Sequence, residues 1–271
     1  MAVLGPGSVA WRTALDWRLL LGSGRALLLQ VAHPTVGAGV AQYSNYRAEP
    51  WQRLQRTVDS MMLQTFGGER AAAEARRLRE LHRGFTGVDH HGNRYSALNP
   101  DAYWWVHATL FEGALDVHRN FGTPLPVSVQ REYYAEWRSL GELLGIKPHR
   151  MPVTLEGFWD YFSGMVVNHL EDNKSVRDLL DALGERHPLQ PPWWPLPSAM
   201  WRAAGPIGAR TMMTATVGTL PPVFRERLGL QWTRWDERRL DVLKKAVRVA
   251  MPMVPVRYRY HPMALAARLA S

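Results

Sequence analysis

The chain contains the segment NPDAYWWVHATLFEGALDVHRNF at residues 99–121, which carries its clearest helix signals. Asn99 is a favourable N-cap, Pro100 suits the first helical position, and Asp101 places an acid at the positive end of the helix dipole. We therefore predict a helix that begins at Asn99 and reaches about Phe121.

Helical patterns continue on both sides of this segment. Further helices are predicted at residues 9–29, 26–40, 50–66, 69–84, 128–144, 155–170, 176–183 and 236–249. The helix at 26–40 should break or kink at His33-Pro34, because proline cannot donate a backbone hydrogen bond. Residues 88–98 form a turn-rich connection that suits a small hairpin, and residues 187–197, with five prolines, form an irregular ordered loop. The fold class predicted is all-α, with one domain over residues 1–271.

Composition excludes several classes of protein. The chain has 271 residues and no cysteine, so disulfide scaffolds, iron–sulfur clusters, cysteine nucleophiles and haem-thiolate centres are excluded. An apolar share of 46% excludes wholesale disorder. Any metal or haem must therefore be held by histidine, carboxylate or another non-thiolate ligand.

The basic charge of the chain is dispersed rather than clustered. The net charge is +9, but the arginines form no run like a nucleic-acid-binding arm. We predict no specific nucleic-acid binding, while a weak contact with a membrane surface stays open. The sequence shows no signal peptide and no spanning segment, which favours a cytoplasmic protein; its oligomeric state is unknown.

Familiar catalytic motifs are absent. The chain has no phosphate-binding loop, no G-x-S-x-G nucleophile elbow and no H-E-x-x-H zinc motif. Gly22-x-Gly24 lacks the third glycine of a dinucleotide fingerprint. Asp89-His90-His91 has metal-binding side chains, but its Gly-Asn neighbours favour a solvated turn.

Three histidines occupy positions where helical periodicity predicts burial. His82 continues the apolar stripe of the helix at 69–84, between Leu78 and Phe85. His107 shares one face with Tyr103, and His33 lies among small and apolar residues. A buried neutral imidazole is a good iron ligand, although a single buried histidine is more often an ordinary core residue.

The helix at 50–66 carries a set of polar residues on one surface. Arg53, Arg56 and Thr57 stand at i, i+3 and i+4. Two guanidinium groups and a hydroxyl would suit a dicarboxylate or the propionates of haem. From spacing alone, an ordinary solvated basic face is the preferred interpretation.

Several segments, in order and spacing, resemble the haem-dependent oxygenase family that includes bacterial latex clearing protein and the fungal oxygenase MpaB. The resemblance is strongest over residues 20–150. The segments are LLLQVAHPTVGAGVAQYSNYRAEPWQRLQRT (27–57), RRLRELHRGFTG (76–87), NPDAYWWVHATLFEGAL (99–115), REYYAEWRSLGELLGI (131–146) and, more loosely, GTLPPVFRERLGLQW (218–232).

The resemblance implies a globin-like helical core that holds b-type haem and uses dioxygen. Residues 53–57 (RLQRT) are similar to the Arg-Leu-x-Lys-Thr helix of latex clearing protein, with arginine in place of lysine. Its axial histidine follows an arginine by three residues, as His82 follows Arg79. His82 is therefore the expected iron ligand, Arg53 and Arg56 the expected cofactor-binding residues, and His107 the reserve ligand.

One departure from the family pattern concerns the catalytic glutamate of latex clearing protein. No acid occurs between Asp16 and Glu49, so His33 is the natural substitute as distal acid–base group, with Thr57 beside it. We therefore expect a haem b-dependent oxygenase or oxidase that acts on a small hydrophobic, isoprenoid-like or natural-product substrate. Trp193-Trp194 would shape the pocket entrance. The alternative is a non-catalytic haem or lipophile carrier, peripheral to membranes.

Overall fold

The computed structural model of the protein describes residues 4–13, 16–44, 49–185, 188–191 and 197–270. Within these residues the chain is essentially all-α, as predicted, with one two-stranded sheet. The helices are α1 (Val9–Arg12), α2 (Leu19–Val31), α3 (Pro34–Tyr43), α4 (Pro50–Phe66), α5 (Arg70–Arg83), α6 (Pro100–Phe121), α7 (Val127–Leu143), α8 (Leu155–Asn168), α9 (Lys174–Leu183), α10 (Ser198–Thr219), α11 (Pro222–Arg227), α12 (Arg234–Ala250), α13 (Val256–Arg259) and α14 (Pro262–Ala270). Short 3₁₀ turns occupy Pro148–Arg150 and Met251–Met253.

Local signals correctly placed the starts of α4 and α6 and the break between α2 and α3, whereas the segment predicted as one helix over 9–29 is divided into α1 and α2. The Asn99 side chain accepts hydrogen bonds from the backbone N–H groups of Asp101 and Ala102, at 2.9 and 3.2 Å, and starts α6 where predicted. The break at His33-Pro34 is also confirmed, because α2 ends at Val31 and His33 is the N-cap of α3. Helix α10 had no counterpart among the predicted segments; it contains Pro206, a residue that normally interrupts a helix.

The predicted hairpin forms between α5 and α6. Strands β1 (Thr86–Val88) and β2 (Arg94–Ser96) pair antiparallel, with Gly87 opposite Tyr95. Gly92 closes the turn at φ +82°, a left-handed conformation that glycine adopts without strain. The hairpin packs on α3 through a hydrogen bond of 2.7 Å from the Tyr43 hydroxyl to the Thr86 carbonyl.

Helix α2 lies at the centre of the fold, between α6 and α10. Two glycines permit this close approach: a methyl group at Gly22 would collide with Val117 of α6, and one at Gly24 with Thr216 of α10. The Gly22-x-Gly24 pair is therefore a helix-packing feature, in agreement with its rejection as a nucleotide fingerprint. In the part of the chain that the structure describes, no helix is both long and apolar enough to cross a membrane.

A buried ion pair joins these three central helices. Arg25 of α2 donates from both terminal nitrogens to the carboxylate of Glu112 in α6, with Nη2–Oε1 at 2.8 Å. Its Nε donates to the Thr219 carbonyl of α10 at 2.7 Å. Burial lowers the pKa of Arg25, but the carboxylates of Glu112 and Asp116 raise it by more, so the guanidinium stays charged.

Removing one partner of this pair should destabilise the fold strongly. Arg25→Met leaves a buried carboxylate at Glu112 without its partner, so the free energy of unfolding should fall by about 3–5 kcal/mol. Arg25→Met combined with Glu112→Leu should recover a large part of that loss. Urea unfolding measures both, and the exposed pair of Arg131 and Glu156 supplies the control, since Arg131→Met should cost less than about 1 kcal/mol. A double variant as unstable as the losses of Arg25→Met and of Glu112→Leu, each measured alone and added together, would contradict the assignment.

Candidate functional site

His82 lies in the last turn of α5, where it is half-buried. Its Nδ1 is 2.7 Å from the carbonyl oxygen of Leu78, one turn earlier in the same helix. A carbonyl only accepts, so Nδ1 carries the proton and donates it. The lone pair of the imidazole is therefore on Nε2, the atom that a metal ion would bind.

The surroundings of His82 keep its ring neutral. Burial lowers the pKa of His82, and the positive charges of Arg53 and Arg77 lower it further, against the effect of the Leu78 hydrogen bond. The ring edges of Phe85 and Tyr103 face the imidazole, with centroids at 5.5 and 6.1 Å. His82 thus has the protonation state, the fixed tautomer and the aromatic environment of a metal-ligating histidine.

Arg53 of α4 is the cation that lies near His82. It is half-buried, and its Nη1 donates to the Ser44 hydroxyl at 2.5 Å. Burial lowers the pKa of Arg53, and the neighbouring charge of Arg56 lowers it further. Within the described ranges neither Arg53 nor Arg56 forms an ion pair with a carboxylate, so two adjacent guanidinium groups are available to an anion.

Thr57 and Arg56 lie on the exposed side of α4. The Thr57 hydroxyl donates to the Arg53 carbonyl of its own helix at 2.9 Å. This bond leaves oxygen lone pairs on Thr57 but uses its single donor hydrogen. The predicted common surface of Arg53, Arg56 and Thr57 is present, with Arg53 as its most buried member.

His33 stands at the break between α2 and α3 with one unsatisfied nitrogen. Its Nδ1 is buried and has no hydrogen-bond partner among the described residues. Burial lowers the pKa of His33, and the charge of His169 lowers it further, against opposing effects of Asp101 and Glu171. An unpaired buried polar atom costs about 1–3 kcal/mol, which marks Nδ1 as a place for a bound ligand or water.

His107 belongs to the packed core. It is 3% exposed, its ring stacks on Trp137 at 4.8 Å, and its Nε2 donates to the Trp137 carbonyl at 2.8 Å. Burial lowers the pKa of His107 to about 4, against the effect of that hydrogen bond. With Nε2 engaged by α7, this placement does not favour the reserve assignment of His107 as an iron ligand.

The structure brings three residues of the candidate site together and places His33 close to them. His82, Arg53 and Tyr103 gather where α4, α5 and the first turns of α6 meet. His33 lies near Asp101, two residues before Tyr103. Two cavities lie elsewhere, against α2, α4 and α12, and no candidate residue lines either of them. The predicted entrance at Trp193-Trp194 lies outside the described residues.

With this geometry established, comparison with known proteins identifies the family. Residues 11–250 match the model of the family described as ER-bound oxygenase mpaB/B′/rubber oxygenase, catalytic domain. The chain belongs to this family. It therefore carries an oxygenase catalytic domain, in agreement with the resemblance that its sequence segments showed.

Two mycobacterial proteins are similar to this member of the family over most of their length. Uncharacterised proteins of Mycobacterium bovis and Mycobacterium tuberculosis are each 27% identical over 243 residues, which is 85% of this chain and 88% of the relative. No solved structure matches the chain. Neither relative has an assigned reaction.

The buried state of His107 predicts a specific loss of stability in acid. Its pKa is about 4 in the folded protein against 6.5 when unperturbed, so its contribution is complete above pH 6.5 and is lost as the pH falls towards 4. At pH 4.5 the wild type should have lost about 2–3 kcal/mol more free energy of unfolding than His107→Gln, relative to pH 7.5. Glutamine can still donate to the Trp137 carbonyl but does not titrate. Urea unfolding at the two pH values tests this, and equal losses in both proteins would contradict it.

Proposed function

We propose that this family member is a haem b-dependent oxygenase that acts on a small apolar substrate. The observation that carries the proposal is the His82 imidazole, which is neutral, holds its proton on Nδ1 and lies near Arg53, a half-buried guanidinium that pairs with no carboxylate in the described ranges. Each feature has a separate physical cause, and together they suit a haem ligand with partners for the haem carboxylates.

The donor set fits haem better than a bare metal ion. Aromatic rings and guanidinium groups surround His82, and arginine cannot ligate a cation. A planar apolar ring system with two carboxylates matches this combination. Arg53 would hold a propionate by charge-assisted hydrogen bonds, and Arg56 would add a second positive charge.

Haem, when bound, supplies the binding and reductive activation of dioxygen. The residues of the chain supply the rest. Leu78 holds the proton of His82 on Nδ1 and so orients Nε2 as the ligating atom. Arg53 and Arg56 would balance the negative charge of the cofactor carboxylates, which lowers the free-energy cost of burying that charge in the site.

His33 is the proposed acid–base group of the reaction. The lowered pKa keeps its ring neutral at pH 7, so one ring nitrogen holds a proton and the other accepts one. The buried, unpaired Nδ1 is the atom available to a ligand. Thr57 is exposed on α4, where its remaining lone pairs can accept a hydrogen bond from a ligand that reaches them.

The aromatic walls of the site support an apolar substrate. Tyr43 stacks on Phe85 with ring centroids at 4.5 Å, and Phe85 in turn meets His82. Rings of this kind bind isoprenoid or aromatic molecules by burial of apolar surface. A small substrate fits this proposal better than a long polymer, because no acid replaces the family's glutamate between Asp16 and Glu49.

Haemin titration of the purified protein tests the assignment of His82. The wild type should bind one haemin with a Soret band, and His82→Ala should lose or shift that band because the iron loses its ligand. His149→Ala, an exposed histidine in the 3₁₀ turn, is the control and should titrate like the wild type. A protein that takes up no haemin, or a His82→Ala spectrum equal to the wild type, would refute the proposal.

Arg53 should contribute to the retention of haem. Arg53→Gln removes one charge-assisted hydrogen bond worth about 1.5–3 kcal/mol, so haemin should dissociate more readily by roughly tenfold or more. Transfer of haem to an acceptor protein measures this. Arg70→Gln, at an exposed residue of α5, is the matched control. Equal rates of haem transfer from both variants would contradict the assignment of Arg53 as a haem-binding residue.

Oxygenation with labelled dioxygen tests the role of His33. Reduced holoprotein, mixed with a panel of prenylated and aromatic compounds, should place label in a product. His33→Ala should keep its haem and lose most of that product, because the acid–base group is gone. Autoxidation without a labelled product across the panel would favour a haem carrier instead.

A further inference from the structure

Two histidines and a glutamate from distant parts of the chain meet on the surface beside the hairpin. His90 Nε2 lies 2.9 Å from Glu171 Oε2, and His91 Nε2 lies 2.9 Å from Glu171 Oε1 and 3.1 Å from Oε2. Glu171 follows α8 and is 80 residues from His91. The three ligand atoms, one per residue, lie within 4.8 Å of one another.

The turn between β1 and β2 places the side chains of the two histidines on the same side. The Asp89 carboxylate accepts hydrogen bonds from the backbone N–H groups of His91 and Asn93, at 3.0 and 2.9 Å. Gly92 reverses the chain at positive φ. Neighbouring residues of an extended strand point to opposite sides, but this turn brings both rings to one side, with centroids 4.0 Å apart.

Glu171 is held in place by its own backbone and by the residues that follow it. Its N–H donates to the Ala32 carbonyl at 2.9 Å. Two residues later, the Asn173 side chain donates to the Val31 carbonyl at 2.8 Å. The carboxylate is therefore presented from a segment that is fastened to the end of α2, while the histidines come from the hairpin.

We propose that His90, His91 and Glu171 bind a divalent transition-metal ion of the Zn²⁺ type. Two ligands at about 2.0–2.1 Å from such an ion lie about 2.9–3.4 Å apart at octahedral or tetrahedral angles. The N–O separations of 2.9 and 3.1 Å fall in this range. Water completes the coordination, because all three side chains are partly open to solvent.

The donor set selects the class of ion. Two imidazole nitrogens and one carboxylate oxygen suit Zn²⁺, Co²⁺ or Ni²⁺, whereas Mg²⁺ and Ca²⁺ prefer oxygen ligands throughout. Binding requires each Nε2 to offer its lone pair, so the proton of each neutral ring moves to Nδ1. The sequence pattern alone favoured a solvated turn here, because Glu171 is absent from the local motif.

A metal ion at this site would fasten the hairpin to the segment that holds His33. Glu171 is bonded to Ala32, the residue before His33, and the hairpin is bonded to Tyr43 at the other end of α3. The ion would thus connect two segments that are already bonded at opposite ends of α3, namely the Glu171 segment and the hairpin. The site is separate from His82 and Arg53, and the inference does not depend on haem.

Calorimetric titration of the chelator-treated, tag-free full-length protein with ZnCl₂ tests the proposal. We expect one equivalent to bind and to raise the unfolding temperature. His91→Ala and Glu171→Gln should each weaken binding by roughly tenfold or more. His149→Ala should bind like the wild type. Co²⁺ provides a second readout, since its visible absorption reports nitrogen and oxygen ligation.

Three controls separate the outcomes. Each variant's unfolding temperature in chelator shows whether it folds, and the conservative His91→Gln replaces any His91→Ala protein that does not. Haemin binding by the His91 variant should equal that of the wild type, and Zn²⁺ binding by His82→Ala should also be unchanged, so failure of one site is distinguished from failure of the other. Absence of stoichiometric Zn²⁺ binding, or equal binding by Glu171→Gln and the wild type, would overturn the proposal.

Discussion

The buried ion pair between Arg25 and Glu112 is the constraint on which the arrangement of helices depends. A charge of this kind is stable in a core only with its partner in place, so α2 and α6 have one permitted register. The bond from Arg25 to the Thr219 carbonyl adds α10 to the same arrangement, and Gly22 and Gly24 make the close approach sterically possible. The positions of the end of α2 and the start of α6 follow from this packing, and both carry the candidate site.

Three local features determine the chemical state of the residues in the candidate site. The helix itself orients His82, because the proton acceptor is the carbonyl of Leu78 one turn earlier. The break at Pro34 leaves the buried Nδ1 of His33 without a hydrogen-bond partner among the described residues. Arg53 is half-buried next to Arg56. No carboxylate in the described ranges neutralises its charge. Under the proposed function these features share one interpretation, in which His82 would hold the iron, Arg53 a cofactor carboxylate and His33 the proton.

Much of the fold was predictable because helix ends are local. Asn99 acts through a side-chain cap, and Pro50 and Pro34 act through the fixed geometry of proline, so none of these signals needed tertiary information. The choice between His82 and His107 was not predictable from periodicity, since both lie on apolar faces. The two differ in burial and in acceptor: His82 is half-buried and bonded to Leu78 of its own helix, whereas His107 is fully buried and bonded to Trp137 of α7. The proposed metal site was not predictable for a different reason, because Glu171 meets His90 and His91 only in three dimensions.

The crystal structure of the haem-loaded protein tests the central claim most directly. The account predicts iron bonded to Nε2 of His82, the Leu78 hydrogen bond retained at Nδ1, and a haem carboxylate against Arg53. Iron bonded to His107 or His33, or haem held at a surface without any of these residues, would contradict it.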